Sequence, residues 1–555
     1  MRRSSRWKAV ECGAMALGSG VVMHGIYGWH PRNSFYICMA QAQTFFLPQS
    51  VRHGFAMLSA PLSHPRLLRW TIMMLVGIEF LQNSMLSFSS AYVSGGVGAA
   101  PEEFSLAAAV YAGTAIMMIA MHRWLVEHLG YRLFMRCAFL FFTVGALLCA
   151  TADTPNGLIF GRLVQAIGGS AFFTGARVQV NRFKGPARGV AIRFMAGGLI
   201  ASASMGAWLA SMLLEHASWR ALFIAPLLMV AVAAVLCELT LEDRVPHARR
   251  SYPHPVGTML LAGMILSAQY LLERNQYDFF ARPLHLAVLL VLAGVGLYGF
   301  MRMEFGRPGA LLPIERFTGG RFAAGISLYA LCYLVLSSTG YMLPVMLQRG
   351  LGFPVLATGT LLSAAAMVGI VAALAHVSLV RAFPAQRKYL LLAFVCLAAF
   401  GFSMSAASPD VSLWHFVWPL IGYAIFGSFA QGTAALNSFA EIGEDVFSEA
   451  YQAKNMMREL VNSTGISLAT LVLQSRSTTH YARLTERIDL AHLDPLTAGP
   501  FIGLATDPTQ PALLQQLASL LTQQATLMAC LDFFFALGCG AVVIGTIFVL
   551  QRKIV

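Results

Sequence analysis

Long apolar stretches follow one another along almost the whole chain from Trp70 to Leu550, interrupted only by short polar connections. About 14 of them approach the roughly 20 residues that an α-helix needs to cross a bilayer. The first six are Trp70–Val93, Phe104–Met121, Leu133–Ala150, Leu158–Val180, Val190–Leu214 and Ala221–Cys237. Val256–Leu272, His285–Met301, Ala323–Leu347, Val355–Val380 and Tyr389–Ala406 continue the series, and Leu413–Leu436, Ala450–Leu473 and Ala525–Leu550 complete it. Backbone groups in lipid must be paired within their own segment, so these stretches predict helices and an all-α polytopic membrane protein. Two stretches break the apolar pattern. The first carries Glu79, Gln82, Asn83, Ser87 and Ser90 at helical spacing, and the thirteenth carries Gln452, Asn455, Glu459, Asn462, Ser463, Ser467 and Thr470. Each set makes a wet stripe on one helix face, as the wall of a polar path requires. For the Ser and Thr residues, hydrogen bonding between helices explains the stripe equally well. Carboxylates are costly in lipid, so Glu79 and Glu459 point to function.

Composition agrees with a membrane protein: 57% of residues are apolar and 11% charged. The net charge of +13 could suggest nucleic acid, but its distribution says otherwise. Arg123, Arg132, Arg182, Lys184, Arg188, Arg244, Arg249, Arg250, Arg307, Arg316, Arg381, Arg387 and Lys388 all fall on one side of the predicted spans. The other side holds chiefly Arg274, Arg282 and Arg349. This bias predicts a cytoplasmic basic side, an even number of spans and both termini inside. Residues 1–56 show no sustained period and read as an uncertain extension, or as upstream sequence from too early a start. Residues 474–523, with Pro495, Pro500, Pro508 and Pro511, read as a long extracytoplasmic loop with short helices around 481–492 and 513–522. The cysteines have no metal-ligand spacing and read as small core residues, so neither a metal nor a cofactor is expected.

Several connections carry a further signal. Leu125–Arg132 contains an acidic-x-x-Gly-x-Arg run, with Glu127, Gly130 and Arg132. Gly161–Gly168 contains an Arg-x-x-Gln run, with Arg162 and Gln165. Trp219–Phe223 reads W-R-x-x-F, Tyr341–Pro344 precedes Gln348, Gly352 and Gly359, and Asn455–Gly465 reads NMMRELVNSTG. In this order and spacing they resemble the major facilitator superfamily, and the last run resembles its fourteen-helix EmrB/QacA-type drug:proton antiporters. The resemblance covers nearly all of residues 57–555. It implies a six-helix bundle over 57–245, two inserted transmembrane helices over 246–310 and a second six-helix bundle over 311–555. Substrate would bind near the midplane between bundles that rock alternately to each side.

The resemblance also implies roles. Glu79 and Glu459 become the leading proton-coupling candidates, with Arg162 as counter-charge and Asp532 at an acidic position common in the last helix. Gln82, Asn83, Gln165, Asn455 and Asn462 become transport-path candidates. Glu127, Gly130 and Arg132 become a conformational latch. The implied function is proton-coupled efflux of hydrophobic or amphipathic drugs from the inner membrane, through contact with lipid, a small-molecule substrate and protons. A periplasmic adaptor protein and an outer-membrane channel are candidate partners, and nucleic acid is not. Export of one endogenous metabolite or siderophore is the alternative, and a non-transporting membrane scaffold a third reading. An enzyme is not expected, because no HExxH, GxSxG or P-loop occurs. Three departures from the family pattern stand out. Leu81-Gln82-Asn83-Ser84 replaces L-D-x-T, Ser202–Ala207 lacks the proline of the antiporter signature, and Val461 and Asn462 replace two glycines.

Overall fold

Proline opens helix after helix: Pro65, Pro101, Pro155, Pro186, Pro226, Pro255 and Pro283 each stand in a first helical turn. Its fixed φ suits that turn, and the N–H it lacks would have had no partner there. A computed structural model describes residues 64–241, 253–307, 310, 320–383, 386–439, 442, 447–486 and 511–550. The expectations for residues 1–56, and for the middle of the 474–523 connection, lie outside these residues.

The helices are α1 (Pro65–Phe88), α2 (Ser90–Gly96), α3 (Pro101–Leu129), α4 (Tyr131–Ala150), α5 (Pro155–Val180), α6 (Pro186–His216), α7 (Ala221–Ile224) and α8 (Pro226–Thr240). They continue with α9 (Pro255–Ala281), α10 (Pro283–Glu304), α11 (Gly320–Val345), α12 (Val355–Ala382), α13 (Gln386–Ser405), α14 (Val417–Ser438), α15 (Phe447–Glu486) and α16 (Pro511–Leu550). No strand occurs among the described residues. Among the described residues, thirteen segments are apolar and long enough to cross a membrane. The expected span Ala450–Leu473 is absent from that set although it lies within the 40-residue helix α15. Lys454, Arg458 and Glu459 help make it too polar to qualify on hydropathy, yet all three are buried. It is held by packing on α3, α11 and α16.

Packing falls into two sets. α1, α3, α4, α5, α6 and α8 pack among themselves, as do α11 to α16. Leu75, Val76, Phe142 and Phe172 sit in the first core, and Phe394, Phe400, Phe426 and Phe534 in the second. The sets meet where α6 packs on α12 and α3 on α15. Gly359 permits the first of these approaches, since a Cβ there would lie 2.7 Å from the Ala207 carbonyl oxygen. α9 and α10 form a hairpin. α9 lies against α3 and α15, whereas only 17% of the apolar window of α10 is buried, leaving that helix to lipid.

The flanks of the 474–523 connection are not loop. They continue α15 and α16 as regular helix to Glu486 and from Pro511. At 1.5 Å per residue, a 40-residue helix runs about 60 Å, roughly twice the hydrocarbon thickness. Arg476 and His480 of α15 both donate to Asp532 of α16, joining the two long helices.

Candidate functional site

The wet stripes of α1 and α15 face each other. Nη2 of Arg458, on α15, donates to the carboxylates of Glu79 on α1 and of Glu459 beside it. The three side chains are 5–6% exposed, and the guanidinium lies 4.4 Å from the ring centre of Phe173 and 5.3 Å from that of Phe80. This ion cluster joins the two helix sets through the middle of the protein. Arg458 was part of the Asn455–Gly465 run, but residues adjacent on a helix point different ways, so the stripe through Asn455, Glu459 and Asn462 left it out. A guanidinium is long enough to swing back.

Arg162 makes no direct ion pair with Glu79 or Glu459 among the described residues. It donates to Gln165 Oε1 at 2.7 Å and lies 3.9 Å from the centre of the Tyr111 ring. It lines a cavity of about 40 Å³ together with Asn83, Tyr111, Tyr341, Glu459 and Asn462. That volume suits a few waters. A second, smaller recess shares Phe104 and Tyr341 with it and extends past Ser90 and Ser94 to Arg349, away from the basic side. Pro344 interrupts α11 beside Tyr341, and the helix continues as a π-turn over Met346–Gly350. A proline that removes an N–H and a π-turn together loosen the ladder where the wall bends.

The other path candidates lie nearby. Gln82 is buried, with neither amide atom bonded to another described group. Asn455 Nδ2 donates to Thr174 Oγ1 at 3.3 Å, a link from α15 to α5. Ser463 donates to Gln269 at 2.6 Å, so α9 reaches α15. Lys454 is also buried here, with Nζ over Tyr329, Tyr451 and Phe173. Neither Gln269 nor Lys454 was singled out from sequence. Lys454 lies one turn before Arg458, and that spacing was the available signal.

Asp532 stands apart. It is 37% exposed and pairs with Arg476 at 2.6 Å and His480 at 2.8 Å. Glu127 pairs with Arg123 at 2.9 Å rather than with Arg132, and Arg123 also donates to Glu449 at the start of α15. Arg132 reaches the Leu241 carbonyl at 2.6 Å, after Gly130 turns α3 into α4 with a φ of +77°. At the same basic end Arg177 lies 4.6 Å from the ring centre of Phe447 and 5.1 Å from that of Tyr451. It is buried under α15.

The sequence matches the Major Facilitator Superfamily over residues 72–469. The chain belongs to that superfamily. A putative multidrug resistance protein MdtD of Klebsiella pneumoniae is 23% identical, over 81% of this chain and 94% of its own. The multidrug export protein EmrB of Escherichia coli is 22% identical, over 74% and 81%. Among solved structures, a bacterial homologue of the human lysosomal transporter Spinster, inward-facing and unoccupied, superposes with a TM-score of 0.56 at 14% identity, covering 88% of this chain and 98% of that one. A bacterial homologue of the human peptide transporters PepT1 and PepT2 gives 0.55 at 16%, covering 87% and 97%. These likenesses agree with the major facilitator fold. The protein is a multi-pass membrane transporter, and not an enzyme.

Proposed function

We propose that this transporter exports hydrophobic or amphipathic compounds, drugs among them, in exchange for protons. The observation that carries this reading is Arg458 held at once by Glu79 of the first helix set and Glu459 of the second. Alternating access requires the sets to move against each other, which pulls Glu79 from Arg458. A buried charge stripped of its partner costs several kcal/mol, and protonating the carboxylate removes that cost. Proton uptake and bundle movement are then one event. The names of the MdtD and EmrB relatives support drugs as cargo.

In this reading the basic ends lie in the cytoplasm with both termini, in a bacterial inner membrane. Residues 57–245 and 311–555 form the rocking halves, with 246–310 inserted. The ion pair of Arg123 with Glu127 and Glu449 acts as the cytoplasmic latch. The helical extensions of α15 and α16 offer a landing for a periplasmic adaptor protein, which an outer-membrane channel would complete.

The test is dye and drug efflux from efflux-deficient bacteria expressing the full chain. Export should stop with a protonophore and fall at least about tenfold in Glu79→Gln, the size of a lost step in coupling. Folded, membrane-inserted protein that exports nothing from a broad panel would sink the multidrug reading and leave a single-metabolite exporter.

A further inference from the structure

Ser463 breaks a rule that its neighbours on α15 keep. Thr464, Ser467 and Thr470 each donate to the carbonyl four residues back in their own helix, at 2.8, 3.1 and 3.0 Å. Thr478 and Thr479 do the same further along. A carbonyl one turn back is the nearest acceptor for a helical hydroxyl. Ser463 instead turns its proton away from its helix and donates to Oε1 of Gln269 on α9, at 2.6 Å. Both side chains are buried.

Stability does not explain the choice. Gln269 is left with an Nε2 that has no hydrogen-bond partner among the described residues. A buried N–H without a partner costs more than one hydrogen bond typically returns, so an apolar side chain would hold α9 against α15 more firmly. Apolar contact already fixes α9, since its Leu261 and Ile265 pack with Ile116 and Ala120 of α3. Gly113 of α3 comes so near that a Cβ there would lie 3.2 Å from Ile265 Cγ2.

What Ser463 does face is the central cavity, whose wall it shares with Asn83, Arg162, Glu459 and Asn462. Arg162 can only donate there, and the Glu459 carboxylate is held by Arg458. We propose that Gln269 is a positioning residue for this cavity: by taking the Ser463 proton, it leaves the hydroxyl oxygen free to accept an N–H or O–H of the cargo. The inference rests on the export reading and narrows the cargo to amphipathic compounds that carry a hydrogen-bond donor. A hydroxyl has one proton and two lone pairs. With the proton committed to Gln269, the lone pairs meet a cargo donor as the helix sets part and the cavity widens. Without Gln269 the proton returns to the Glu459 carbonyl, drawing the oxygen onto its own helix, or swings into the cavity, where it opposes a donor.

The experiment compares two neutral aromatic dyes, N-phenyl-1-naphthylamine, which has one N–H, and its N-methyl analogue, which has none. Each is added to the purified full chain in lipid nanodiscs, and binding is read as fluorescence gained over empty nanodiscs. Wild type should bind the N–H dye about fivefold more tightly, the size of one hydrogen bond. Ser463→Ala should abolish that preference and Gln269→Met should cut it below about twofold, with affinity for the N-methyl dye unchanged in both. Gln269→Glu, which keeps a carbonyl oxygen at the same reach, should restore it. Combining Ser463→Ala with Gln269→Met should lose no more than Ser463→Ala alone, because the two act through one hydroxyl. A packing role would weaken both dyes together.

Wild type that binds the two dyes equally would overturn the proposal, as would a Gln269→Met variant that keeps the full preference or weakens both dyes in parallel. Efflux of the N–H dye from cells is read separately: a binding preference without efflux would sink the export reading and leave the Ser463 acceptor standing.

Discussion

Two carboxylate clusters lie in helices read as membrane spans, and they differ in burial and in which helices they join. Glu79 and Glu459 share Arg458 in the interior, between helices of different sets, with all three side chains 5–6% exposed. Asp532 shares Arg476 and His480 between α15 and α16, helices of the same set, and is 37% exposed. Separation of the sets must break the first cluster and need not touch the second. Burial then fixes the stakes, because an ion pair in contact with water is worth little, whereas an interior charge that loses its partner is heavily penalised.

The largest effect should come from Arg458→Met. It leaves two carboxylates without their counter-charge, and destabilisation of about 3–5 kcal/mol is expected for breaking a buried pair. Thermal unfolding of the detergent-purified protein measures it. Adding Glu79→Gln to Arg458→Met should recover part of the loss, since it removes one of the stranded charges. Unchanged stability in Arg458→Met would mean that the cluster is not holding the sets together.

Asp532→Asn sharpens the comparison from the other side. Stability should shift by no more than about 1 kcal/mol, in line with partly exposed ion pairs. Proton-driven efflux should stay within a few-fold of wild type, where Glu79→Gln loses it. Equal loss in both variants, at equal membrane content, would remove the distinction between the two clusters.

Much of this arrangement was legible along the chain, for reasons that also explain the gaps. Helical spacing alone placed Glu79 and Glu459 on wet faces, as the walls of a polar path require, but that the two faces meet came only with the structure. What periodicity cannot supply is which side chain crosses the gap. Arg162, with Gln165 at i+3, was the natural counter-charge by position, but it turns onto Tyr111, while Arg458, off the stripe by one residue, reaches both acids. Polar content hid α15 from hydropathy even as it marked the helix as central. Gln269 was invisible for a different reason: its contact with α15 depends on how α9 and α3 pack.

The smallest expected difference lies at the basic end, where Arg123 serves two partners. Glu127 is four residues along the same helix, and such a pair contributes about 0.3–0.5 kcal/mol when solvated. Glu449 belongs to α15, so its contact with Arg123 spans the two sets at the basic end, which the proposed orientation turns to the cytoplasm. Glu127→Gln should therefore leave transport close to wild type. Glu449→Gln should weaken closure at that end and raise the reactivity of a cysteine placed at Phe447, read by labelling from the cytoplasmic side of inverted vesicles. If Glu127→Gln opens the end as much as Glu449→Gln does, the latch runs through the α3–α4 turn, as the sequence run Leu125–Arg132 alone implies, rather than across to α15.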